Sequence, residues 1–341
     1  MSSNVSRFGT VFLLLAMAMP CAPARAAGPY QVVVEGGATV PRWSPAGGMF
    51  ACYVAGNVLV CDRTGKQLAR LQEVEAFSWS PDGSRIAGTV GLPATRVFTA
   101  KPDGSDYRIL TKPVAEISAV EWASRDAIIV SYTGATGEKS ALGHILATGG
   151  DISRMGAGYG VSAEPGGHLA FVRDAKEGGF TQIVAAKTDG SSPTVLTTQP
   201  REVLEGMTSG PLWSPDGKWL AYVGNDPSKR GAAWLNLVDA QRPGAPARRL
   251  LQVSEVPFAW SPDSREIAVT ALPATEKGQA SLVAVDIAGG ATRPLVSPDP
   301  GRCRPWWPAW SKDGLLVLHE CTTADDMPGQ MSLRLYHVGE E

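Results

Sequence analysis

The chain has 341 residues, 44% of them hydrophobic and 19% charged, with a formal net charge of −2. That balance leaves no concentrated basic surface for nucleic acid, and it supplies enough apolar residues for a sizeable core. The 38 glycines and 26 prolines are dispersed, which excludes a low-complexity chain and suits many short strands joined by tight turns.

Residues 1–7 carry one positive charge, and the apolar run at 11–19 is shorter than the ~20 residues needed to span a bilayer. Ala24-Arg25-Ala26 then offers the small-x-small pattern read by signal peptidase. Residues 1–26 are therefore expected to be a secretory signal peptide, and residues 27–341 a single folded domain. Lipidation of Cys21 is disfavoured because Pro20 stands where a small residue is needed. Cleavage removes Arg7 and Arg25 and moves the net charge to −4. No later stretch is long and apolar enough for a transmembrane helix, so the expected location is the periplasm or the extracellular medium.

A phrase then recurs: Trp-Ser-Pro-Asp-Gly, followed by a short apolar run. It is intact at residues 79–83 and 213–217, nearly intact at Trp43, Trp260 and Trp310, and worn at Trp122 and Ser162. In each copy an apolar segment ends in the tryptophan. Proline and glycine make the turn, and a second apolar run follows. Third and fourth runs come after it, as in Val97-Phe98-Thr99-Ala100 and then residues 107–111. Four antiparallel strands per copy is the blade of a β-propeller, and the copies predict an all-β, seven-bladed one. The last copy supplies three strands, so residues 30–35 are expected to join it and close the ring, removing two exposed edges.

These units resemble the WD40-like repeats called PD40, found in the propeller of periplasmic TolB and of prolyl-oligopeptidase-type peptidases. Residues 79–111, with SWSPDGSRIAGT and later VFTAKPDGSDYRILT, carry the likeness most closely. TolB has an α/β domain before its propeller and six blades. Neither feature is read here, so the chain is TolB-like, without that domain.

Six of the ten tryptophans occupy the motif position, where each is expected to pack between neighbouring blades. Asp82 and Asp216 are expected to bond the amides of their own turns. Four cysteines follow the leader, and an even number in an exported chain points to disulfides. A Gly56-Asn57 hairpin turn would set Cys52 opposite Cys61, while Cys303 and Cys321 flank the turn at 311–314 one residue out of register. The expected bridges are Cys52–Cys61 and Cys303–Cys321.

Signs of catalysis are missing. There is no Gly-x-Ser-x-Gly elbow and no hydrolase domain after the repeats. His144, His168, His319 and His337 lack zinc spacing, and His168 reads as a structural residue at a core apolar position. No catalytic residue, metal or cofactor is expected.

Length variation falls in the connections from strand two to three and from one blade to the next, which alternation places on one face. Arg302, Arg304, Trp306 and Trp307 stand there, outside the motif position, and arginine with tryptophan is the usual interface anchor. Lys229, Arg230, Asp325 and Asp326 are expected to form a polar rim. The sequence thus points to a non-catalytic binding module for a protein or cell-envelope component. The rival reading is a carbohydrate-active, lyase-like propeller with a metal near its axis.

Overall fold

The computed structural model describes residues 30–337, except 92–94, 115, 134–139, 165, 177, 205–209, 227, 230–231, 254–256, 272–280, 297–302 and 323–327. Strand β1 (Tyr30–Glu35) is followed by a first sheet of β2 (Ala38–Trp43), β3 (Met49–Val54), β4 (Asn57–Asp62) and β5 (Gln67–Leu71). The second sheet holds β6 (Val74–Trp79), β7 (Ile86–Val90), β8 (Arg96–Ala100) and β9 (Arg108–Ile109). The third holds β10 (Ile117–Ser124), β11 (Ala127–Tyr132), β12 (Ala141–Leu146) and β13 (Ser153–Ala157). The fourth holds β14 (Tyr159–Ala163), β15 (His168–Asp174), β16 (Phe180–Lys187) and β17 (Thr194–Pro200), and ends in a short helix, α1 (Arg201–Leu204).

Next come β18 (Leu212–Trp213), β19 (Trp219–Asn225), β20 (Ala233–Asp239) and β21 (Arg248–Val253), and then β22 (Ala259–Trp260), β23 (Glu266–Ala271), β24 (Ser281–Asp286) and β25 (Thr292–Val296). These two groups count as one eight-stranded sheet because a single pair, Val253 with Ala271, joins them. The last sheet contains β26 (Cys303–Ser311), β27 (Gly314–Thr322) and β28 (Pro328–Tyr336), with β1 antiparallel to β28 on its outer edge.

The repeated phrase makes the same turn in the copies at Trp79, Trp213 and Trp260. Ser80 Oγ donates to Asp82 Oδ1 at 2.7 Å and accepts from the Arg85 amide at 2.9 Å, while Asp82 Oδ1 also accepts from the Ser84 amide. Ser214 with Asp216 and Ser261 with Asp263 repeat the pattern. The first copy has Ala46 in place of the aspartate, and its Ser44 Oγ is buried without a hydrogen-bond partner among the described residues.

Apolar residues on facing sheets interlock, so the core is spread over the seams. Between the first and second sheets it gathers Val58, Val60, Leu71, Phe77, Trp79, Ile86 and Phe98. Burying one indole removes roughly 200 Å² from water, about 5 kcal/mol as an upper figure. The indole N–H groups fix neighbours: Trp79 Nε1 donates to Arg42 O at 3.1 Å, Trp260 to Leu212 O at 3.1 Å, and Trp43 to Ala309 O at 3.0 Å. Each acceptor is the residue before the motif tryptophan of another sheet. The bond from Trp43 therefore makes the first sheet a neighbour of the last, as does the Gly48 amide donating to Asp313 Oδ2 at 2.7 Å.

Three expectations change. In the fourth sheet the register pairs Ala163 with Leu169, as Trp79 pairs with Ile86, so the motif slot is Ala163 rather than Ser162. His168 is exposed at the end of β15 and pairs with Glu164 at 2.7 Å; it does not fill a core position. Cys52 and Cys61 are two buried thiols, not a disulfide. The β3–β4 turn is Ala55-Gly56, both with positive φ (47° and 79°), and Val54 pairs with Asn57. This two-residue turn matches the twist of a hairpin, and Asn57 Nδ2 donates back to Ala55 O at 2.8 Å. Cys52 thus faces Leu59 and Cys61 faces Phe50, a diagonal too long for a disulfide. Burial, and then the Cys61 thiol, push the Cys52 pKa far up, so it stays protonated.

Candidate functional site

Cys303 and Cys321 lie directly opposite each other on β26 and β27 and form a disulfide. The register slips by one residue between Trp306 and Ala309, which absorbs the offset expected from the turn. Trp307, with φ 51°, sits in that slip, where an extra residue re-aims a side chain.

Arg304 faces Glu320 across the strands, and its Nε and Nη2 both reach Glu320 Oε2, at 2.8 and 2.7 Å. Its guanidinium lies 5.3 Å from the Trp306 ring centre, and the Trp306 and Trp307 rings meet edge to face at 5.5 Å. Both indoles are half-buried, and Trp306 Nε1 is buried without a hydrogen-bond partner among the described residues. The exposed ion pair is worth at most about 1 kcal/mol, so its effect is to hold the arginine against the ring.

Lys229 is exposed on the β19–β20 connection, where its amide bonds Asp226 O at 3.1 Å. Beside it, hydrogen bonds from Ser228 and Trp234, with Arg249 nearby, hold the Asp226 carboxyl down to about 2. The structure thus unites Arg304, Trp306 and Trp307, and it shows no bond from them to Lys229. Arg302, Arg230, Asp325 and Asp326 lie outside the described residues.

Two features escape the sequence reading. Arg42, Ser78 and Glu121, each just before a motif tryptophan, meet across three sheets: Arg42 Nη1 lies 3.2 Å and Ser78 Oγ 3.3 Å from Glu121 Oε2. The signal was their shared offset from the motif. The second feature is a cleft of about 1350 Å³ between the third and fourth sheets. Phe171, Arg173, Phe180 and Gln182 line one wall, and the small-residue run Gly156-Ala157-Gly158 lines the other. At its mouth Arg201 pairs with Asp174 at 3.2 Å. Among the described residues no three His, Cys, Asp or Glu side chains converge as a metal site.

Four-stranded antiparallel sheets packed face to face through repeated tryptophans define a β-propeller. Solved structures agree at the level of fold. TolB from Acinetobacter baumannii is similar over 77% of this chain, with 16% identity and a TM-score of 0.52, and the chain spans 64% of that protein's length. Oligogalacturonate lyase from Vibrio parahaemolyticus matches over 91% of this chain and 94% of its own, at 10% identity and TM-score 0.61. The β-propeller domain of Myceliophteria thermophila Cps50 (Swd1) matches over 89% and 98%, at 14% identity and TM-score 0.59. No family model matches the chain, and no curated protein matches it in sequence. No helix among the described residues is long and apolar enough to cross a membrane.

Proposed function

We infer that this protein is an exported, non-catalytic binding module: a seven-bladed propeller, closed by β1, that presents its variable face to a protein or cell-envelope component. The seven four-strand groups and the bonds from the first sheet to the last support the ring. The leader-like residues 1–26 and the Cys303–Cys321 disulfide support an oxidising compartment, periplasmic or extracellular.

One observation carries the binding reading. Arg304, Trp306 and Trp307 form a half-buried stack, held by Glu320 and rooted beside a disulfide. Rigid aromatic and arginine side chains bind at low entropic cost. The test is capture of a partner from envelope extract, with Trp307→Ala as the comparison. A folded Trp307→Ala protein is expected to bind the captured partner about thirtyfold more weakly, or ~2 kcal/mol. Unchanged affinity would move the site elsewhere. Turnover of an oligogalacturonide with added manganese would replace this reading with the lyase-like one.

A further inference from the structure

We propose that the cleft between the third and fourth sheets binds a small organic anion with a flat apolar body. This does not depend on the partner reading. Strand alternation places Phe171, Arg173, Phe180 and Gln182 on the one face of the fourth sheet that looks toward the third. Arg173 is half-buried, and its side chain makes a single bond, Nε to Gln182 Oε1 at 3.2 Å. A guanidinium has five N–H donors in a fixed fork, so four are left without a hydrogen-bond partner among the described residues, on a side chain that lines the cleft. Lys176, exposed at the mouth, likewise has no ion-pair partner among them. Arg201 is already matched by Asp174. The described lining thus holds three cations against one carboxylate, and a partly desolvated arginine favours an anion in two-pronged contact.

The walls supply the second half of the recognition. Phe180 is 43% exposed, unusual for a large apolar side chain, and it borders the cleft together with Phe171. Opposite it, the α-carbon of Gly156 faces open space, with nothing within 4 Å of where a side chain would begin. A ring lying on Phe180 can reach that strip while its acid group meets Arg173. The volume, about 1350 Å³, exceeds the usual range for small-molecule sites, so the ligand stays partly in solvent.

The experiment uses 8-anilinonaphthalene-1-sulfonate, an aromatic anion, titrated by fluorescence against the folded full chain, with Nile red as a neutral counterpart. One saturable site is expected for the anionic dye. Arg173→Gln should weaken it about tenfold or more at an unchanged melting temperature, and the exposed Lys176→Gln about threefold. Nile red should show no dependence on either residue. Absence of saturable binding, or anionic-dye affinity untouched by both substitutions, overturns the proposal. Nile red binding lost in parallel with the anionic dye also overturns it, since the charge would then not be what is recognised.

Discussion

Two seams of this molecule are built from the same repeat and end differently. Between the first and second sheets, Trp79 fills the motif slot, donates its indole N–H to Arg42 O, and packs with Phe77, Ile86 and Phe98. Between the third and fourth, the slot holds Ala163, and the buried clusters are smaller: Leu142, Phe171, Val184 and Ala186 in one, Ala123, Ile129 and Leu169 in the other. Met155, on the outer strand β13, packs against both clusters, and Ala163, which stands where an indole would be, packs against the second. An unbranched side chain suits an irregular gap. Beyond it the seam is open, and the cleft lies there. Loss of one large side chain from a repeat thus goes with smaller buried clusters on its seam.

The largest expected effect comes from breaking the tight seam. Trp79→Ala removes the indole and its hydrogen bond, and should cost about 3–5 kcal/mol in denaturant unfolding. A loss below 1 kcal/mol would mean that seam is not the anchor its packing indicates. Met155→Ala should cost no more than about 2 kcal/mol, because the space it leaves joins a cavity already open. An equal loss at the two positions would erase the distinction.

The smallest change sharpens the comparison in the other direction. Ala46→Asp gives Ser44 Oγ the acceptor it lacks, and should raise stability by about 1 kcal/mol at neutral pH. Its pH dependence follows Asp82, whose pKa is held below the usual carboxylate range chiefly by the hydrogen bond from Ser80. A carboxylate depressed in the folded state stabilises above its unfolded pKa, and the gain is lost as pH falls through the lower, folded value. The variant and the parent should therefore unfold alike once both carboxylates are protonated. A difference that persists there would point to packing instead of the hydrogen bond.

Much of the fold was legible because the repeat states its own turn chemistry. Serine, aspartate and glycine at fixed offsets from a tryptophan leave few alternatives for the backbone, and Cys303 with Cys321 followed from the hairpin they flank. Cys52 and Cys61 misled because Ala55-Gly56 and Gly56-Asn57 are both plausible two-residue turns. Moving a turn by one residue moves each cross-strand partner by two. The cleft was hidden for another reason. No residue that lines it occupies the motif slot of a copy, and Ala163 itself lies outside the lining. Arg173 and Phe180 belong to no motif; they share a face only because β15 and β16 pair, Arg173 opposite Gln182 and Phe180 two residues before it.

The pairing of β1 with β28 has a consequence in time. Tyr30 faces Tyr336 across that ladder, so the two partners are separated by nearly the whole chain. Ribosomes deliver the first strand long before its partner exists, and pairing at such separation is entropically slow. Until β28 arrives, β1 is an unpaired edge of apolar sequence, open to association with other chains. Folding of the last sheet must therefore be a late, whole-chain event, and a nascent chain stalled before residue 328 should be the species most prone to aggregate.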